Sequence, residues 1–456
     1  MATGSRALTV NEIIDGRPLS SFQITTIALC AMVLLLDGFD TQAMGFLVPP
    51  IADELGIPLS AFGPVLSAGL VGLMFGAMAA GPIADRWGRK WAVIGSAFVF
   101  GGFSLLTARA DSLNELVLMR FLTGLGLGGA MPNVVSLASE YAPKRLQATL
   151  VTLIFVGMGG GAVLASIVGG ALIPIYGWRS VFYVGGILPI GLALVLIKAL
   201  PESVRFLTAK GNDPARVAAI VARIAPELAG APIAAAAAGE RREGAPVKHL
   251  FTEGRMLGTL LLWIPFFMNL LILYFILSWL PSLLRQAGMP VTAGITAVLS
   301  FSIGGIVGTV LQGPLMKALG AYAAMVVEFV ASLALVVLAS QIFANFQVMM
   351  VVTFILGVTV QGAQAGLNAL AAMYYPTVIR STGVGWALGI GRIGSIIGPI
   401  IGGMMLGLQW TPQQIFMAGS IPALIAGLAV IASGQLLGKA SPFRPEVDNV
   451  AVGPAH

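Results

Sequence analysis

The chain has one cysteine, Cys30, and two histidines, His249 and His456, among 456 residues. One thiol excludes a disulfide framework within the chain and any multi-cysteine metal site. Two histidines leave a zinc or haem centre short of ligands and give a Ser/His/Asp triad in the apolar regions no histidine at all. Charge is scarce too: Asp, Glu, Lys and Arg make up 10% of the residues, against about 25% in soluble domains. With 57% hydrophobic residues and 58 glycines, the composition excludes an ordinary soluble globule and a disordered chain alike.

What is present is a succession of long apolar runs. Twelve can be marked between residues 24 and 436, each near the roughly 20 residues that a helix needs to cross the hydrocarbon layer. The sequence therefore predicts an all-α integral membrane protein, with glycines allowing close helix contact. Residues 201–256 are the long polar interruption. They divide the chain into a six-helix bundle at 1–200, a cytoplasmic linker at 201–256, a second bundle at 257–438 and a tail at 439–456. With both termini placed in the cytoplasm, 20 of the 25 Lys and Arg fall on the cytoplasmic side. Arg109, Arg179 and Arg285 fall outside, and Arg120 and Arg392 lie within spans. This bias sets orientation by the positive-inside rule. The net charge of +6 is thus a topology signal and gives no reason to expect a nucleic-acid partner. The first 23 residues, with Glu12, Asp15 and Arg17, lack a signal-peptide layout, so no cleavage is expected.

The halves are related in register. GPIADRWG (81–88) matches GPLMKALG (313–320) at an offset of 232, and FLTG (121–124) matches FILG (354–357) at 233. Such an offset held across several segments is the trace of a duplicated bundle. The mismatches carry the chemistry. Asp85 corresponds to Lys317, Arg120 to Thr353, Glu140 to Met373, and Asp37 to Asn269. The first half keeps the ionisable groups, while Arg392 is a cation specific to the second.

Asp37 and Asp40 lie in the first apolar run, LLLDGFDTQAMGF (34–46), three residues apart and so on roughly one helix face. A carboxylate near the centre of a spanning helix costs roughly 2.5–3.5 kcal/mol on insertion scales. Two on one stripe point to a water-filled path, a proton relay or a cation partner. Arg120 lies about 7 residues, or ~10 Å, into the fourth run, and Asp37 at a comparable depth, so the two are expected to face each other. A permanent ion pair pinning two helices is the other reading. Arg392 sits among small residues with no acid in its own segment. Its guanidinium suits bidentate binding of a carboxylate, with Glu328 as its alternative partner and Arg120 as a competing anion site.

GPIADRWGRK (81–90) resembles the loop signature of the major facilitator superfamily, RFLTGLGLGGAMPN (120–133) its fourth-helix arginine motif, and PESVRFL (201–207) its sugar-porter-like ending. Together with DGFD in the first run and GVGWALGIGRIGSIIGPIIGG (383–403) in the eleventh, the pattern resembles the aromatic acid:H+ symporter family over essentially the whole chain. The resemblance implies two pseudo-symmetric six-helix bundles in the bacterial inner membrane. It also implies alternating-access uptake of a hydroxybenzoate-type anion, serving aromatic hydrocarbon catabolism, with the proton as coupling ion, no cofactor and no metal. A monomer is expected to suffice. Proton coupling is assigned to Asp37, Asp40 and Arg120. Substrate binding is assigned to Arg392 and Arg120, to ring-stacking Phe39, Tyr274 and Trp386, and to the polar stripe Gln361, Gln364 and Asn368. Gly81, Asp85, Arg86, Gly88 and Arg89, with Glu140 and Arg145, are expected to form a cytoplasmic gate, and Glu328 is left between a gate charge and a packing charge. A quinate- or shikimate-like substrate, or proton-coupled export, stays open; the absence of a GP pair from VGMGGGAVLASIVGG in the fifth run favours symport.

Overall fold

The computed structural model describes residues 8–209, 214–228, 233–234, 247–252, 254–342, 345–376 and 379–437. The expected tail at 439–456 and part of the linker lie outside these. Among the described residues, twelve helices are long and apolar enough to cross a membrane. They are α1 (Ser21–Leu55), α2 (Leu59–Trp87), α3 (Arg89–Thr107), α4 (Leu113–Tyr141), α5 (Lys144–Tyr176), α6 (Arg179–Ala199), α7 (Met256–Gln286), α8 (Val291–Leu319), α9 (Ala321–Gln341), α10 (Phe346–Tyr374), α11 (Arg380–Gly407) and α12 (Pro412–Leu436). Helices dominate because lipid offers no partner to a backbone N–H or C=O, so each segment satisfies its own. The extended structure described is a two-residue parallel match of Leu8–Thr9 with Ile233–Ala234.

The duplication read from the sequence reappears as equivalent helix contacts. Gly72 of α2 lies against the Phe121 carbonyl of α4, and Gly304 of α8 lies against the Phe354 carbonyl of α10. Likewise Gly161 of α5 meets the Leu35 carbonyl of α1, and Gly394 of α11 meets the Phe267 carbonyl of α7. Every partner is shifted by 232 or 233 residues from its counterpart. A side chain at any of these points would strike backbone, so the glycines set the helix spacing on which both halves depend.

The halves touch at the end remote from the basic loops. There Ser67 Oγ of α2 donates to the Ile396 carbonyl of α11 at 2.7 Å, and Arg285 pairs with Asp53 at 3.3 Å. Gly45 of α1 lies directly on the Leu277 carbonyl of α7, and Gly63 on the backbone of Pro399 and Gly403. Toward the basic end, Gly81 of α2, Gly313 of α8 and Gly389 of α11 have nothing within 4 Å of where a Cβ would stand.

At the basic end, the segment before α1 folds back on the linker. Val10, Ile13 and Ile14 are buried, as are Val217, Ile220 and Val221 of the linker helix Pro214–Ile224. Asp15 accepts the Lys144 backbone N–H at 2.8 Å, and this bond holds its carboxyl below the usual carboxylate range.

Candidate functional site

Arg120 of α4 grips Asp40 of α1. Nη1 donates to Oδ1 at 3.0 Å and Nη2 to Oδ2 at 2.8 Å, and both side chains are buried. This bidentate geometry is the strong form of the pair. Ser104 of α3 adds a third donor to Asp40 at 3.4 Å, and the guanidinium lies 5.9 Å from the Phe182 ring of α6. The expectation that Asp37 faces Arg120 is therefore corrected: the neighbouring aspartate takes the arginine. At 3.6 residues per turn, positions 37 and 40 point about 60° apart, enough to separate their partners.

Asp37 is wholly buried with a different environment. Thr41 Oγ1 donates to its Oδ1 at 3.1 Å, while Oδ2 has no hydrogen-bond partner. The charges acting on it are Arg392 of α11 and Asp40. Arg392 donates from Nη1 to the Tyr274 hydroxyl of α7 at 3.3 Å and bonds no carboxylate among the described residues. Its suggested alternative partner is occupied elsewhere, because Glu328 is bonded to Gln312. One unsatisfied carboxylate and one uncommitted guanidinium thus occur in different halves of the molecule.

Between the halves lies a cavity of about 130 Å³. Gln42 of α1, Tyr274 of α7, Thr309 of α8 and Gln361 of α10 give it polar walls, and Phe155, Leu273 and Ile306 give it apolar ones. A second space of about 30 Å³ is bordered by Thr41, Gln42, Arg120, Tyr274 and Ser278, room enough for a water. Gln42 Oε1 is buried without a hydrogen-bond donor. Sequence reasoning passed over Gln42, although a helical amide five residues beyond Asp37 was a readable signal.

The remaining expected residues divide. Gln361 borders the cavity. Gln364 and Asn368 form a ladder with Asn269 of α7: Asn269 Nδ2 donates to Gln364 Oε1 at 3.0 Å, and Gln364 Nε2 to Asn368 Oδ1 at 3.5 Å. Asn269 entered the sequence reading only as the counterpart of Asp37. Phe39 does not line the cavity; it is buried in the first half with its ring edge on Gly185 of α6. Asp37 and Phe39 stand about 160° apart around α1, so the two cannot share a wall. Trp386 stacks on Trp263 with centroids 6.1 Å apart, and six residues, ~9 Å along α11, separate it from Arg392. Tyr274 alone of the three aromatics meets the cavity.

At the basic end Arg89 pairs with Glu140, which also accepts Ser203 Oγ at 2.6 Å. Gly88, at φ +94°, turns the chain from α2 into α3 in a conformation that side chains rarely adopt. Glu202 accepts the Lys90 N–H at 3.0 Å, a partner not anticipated from sequence. Arg145 does not meet Asp85; it donates to the Arg17 carbonyl at 2.8 Å. Arg86 lies over Trp87, and Asp85 and Gly81 are exposed. These described bonds tie the α2–α3 turn to α4 and to residues 202–203 at the start of the linker.

A family model described as Major Facilitator Superfamily matches residues 30–339 and 296–448. The chain is 39% identical over 435 residues to a 4-hydroxybenzoate transporter, PcaK, of Pseudomonas putida, covering 94% of this chain and 96% of the relative. It is 38% identical over 433 residues to a gallate transporter of Pseudomonas putida, covering 95% and 96%. Its fold is similar to the crystal structure of a bacterial homolog of the human lysosomal transporter Spinster in an inward-facing, unoccupied conformation. The TM-score is 0.72 at 18% identity, with 92% of this chain and 98% of that one covered.

Proposed function

The chain belongs to the major facilitator superfamily, beside the 4-hydroxybenzoate and gallate transporters, and from that premise we propose that it takes up an aromatic carboxylate together with a proton by alternating access. The observation carrying this reading is an incompletely bonded Asp37 in the first half together with an Arg392 in the second that bonds no carboxylate among the described residues. The substrate carboxylate binds Arg392 and Tyr274. The ring lies between Phe155, Leu273 and Ile306, and a ring hydroxyl donates to the spare Oε1 of Gln42. The proton occupies Asp37, where a bare charge with one hydrogen bond is expensive.

The basic end faces the cytoplasm, with both termini, in the bacterial inner membrane. No cofactor takes part. For a monoanion carried with one proton, each pH unit supports tenfold accumulation, about 1.4 kcal/mol. Proteoliposomes given an inward proton gradient test the proposal. Labelled 4-hydroxybenzoate should accumulate and then leave when a protonophore is added; uptake indifferent to the protonophore would overturn it.

A further inference from the structure

One buried acid lies outside the site described. Glu328 of α9, 5% exposed, sits behind the two helices that give the cavity its second wall, α8 and α10. Gln312 of α8 faces it with both amide atoms. Nε2 donates to Glu328 Oε2 at 3.4 Å, and the amide's other terminal atom stands 2.6 Å from Glu328 Oε1. Turned so that its nitrogen faces this pair, the Gln312 amide donates to both Glu328 Oε1 and the Gly362 carbonyl, and every amide atom is satisfied. Either way the polar partner of Glu328 is one neutral amide.

Among the described residues nothing charged is paired with that acid. The helices packed on α9 are α8, α10 and α12. Within them the ionisable groups are Lys317, exposed beyond Gln312, and Tyr374 at the end of α10; α9 itself adds Tyr322. No ion pair to Glu328 exists among the described residues. An unpaired carboxylate at this depth costs several kcal/mol after relaxation. Gly362 lies directly on the acid, and its neighbour Gln361 borders the cavity. Gly313, next to Gln312, borders open space toward the basic end.

We infer that Glu328 with Gln312 is a second proton-binding site, loaded and emptied as α8 and α10 shift around the substrate. This rests on the uptake mechanism above, with Asp37 carrying the first proton. Two protons with one monoanion move one net positive charge inward. The proton leaves Glu328 past Gln312 toward the basic end.

The test uses wild-type protein and Glu328→Gln in proteoliposomes loaded with potassium. Valinomycin imposes an inside-negative potential at equal pH on both sides, and labelled 4-hydroxybenzoate is followed. Wild type should accumulate it about tenfold for every ~59 mV. The variant should still accumulate it under a pH gradient but show no response to potential. Wild-type uptake that follows the pH gradient and ignores potential overturns the second site while leaving proton-coupled uptake intact. Potential-driven uptake persisting in the variant overturns the assignment to Glu328. Should the variant fail to insert, seen as absent counterflow, the wild-type response to potential decides alone.

Discussion

Asp37→Asn is expected to reduce steady-state accumulation of 4-hydroxybenzoate under a one-unit pH gradient by about tenfold, the share of one coupled proton. Counterflow of labelled against unlabelled acid should persist near the wild-type rate. The amide has the shape of the protonated acid and can still accept from Thr41, which bonds Asp37 at 3.1 Å. It cannot release a proton, so the coupling carried at this position is lost. Stability should change little, because no ion pair is broken at this position. Loss of counterflow along with accumulation would place Asp37 in substrate binding, and near-normal accumulation would remove it from coupling.

Arg120→Gln should have the largest effect on stability. Both members of the Asp40–Arg120 pair are buried, with two hydrogen bonds at 3.0 and 2.8 Å. Removing one partner leaves Asp40 charged with only Ser104 nearby, a situation that costs about 3–5 kcal/mol. Thermal unfolding in detergent should show a clear drop in midpoint. The double variant Asp40→Asn/Arg120→Gln, neutral on both sides, should recover most of it, since a buried pair exchanged for neutral groups often costs little. A double variant as unstable as the single one would mean that Arg120 acts through packing, including its approach to Phe182. If the double variant also transports, the pair is a pin between α1 and α4 and Asp37 holds the coupling proton.

These contrasting expectations for two aspartates three residues apart mark the limit of what the sequence revealed. The spanning segments and their duplicated register were legible, because apolar length and a repeated offset are one-dimensional signals. Depth was legible as well, placing Arg120 level with the aspartates. The roll of α1 was not, and it decides which carboxylate takes the arginine. Gly38 sets that roll, since its backbone lies against the Met158 carbonyl of α5. Asp40 then points nearly opposite α5, and Phe39 and Asp37 fall on opposing flanks at about 100° per residue. A glycine between two aspartates carries this information, but only once its neighbour is known.

The basic end shows a second kind of limit. The sequence placed Arg145 in a gate with the charges around Asp85, all near the inner helix ends. The folded chain gives Arg145 the Arg17 carbonyl instead, brought back by the segment before α1. No local pattern announces a backbone acceptor more than a hundred residues away. The stripe of Gln361, Gln364 and Asn368 was readable from helical spacing, but Asn269, which joins it from α7, required the tertiary contact.

The linkage of proton to substrate is tested most directly by the proton itself. Proteoliposomes in lightly buffered medium, with no imposed gradient, are given 4-hydroxybenzoate and the external pH is recorded. Wild-type protein should alkalinise the medium by at least one proton per acid taken up, and Asp37→Asn should move one proton fewer per acid. Entry of the acid into wild-type vesicles without alkalinisation would contradict a proton carried on Asp37.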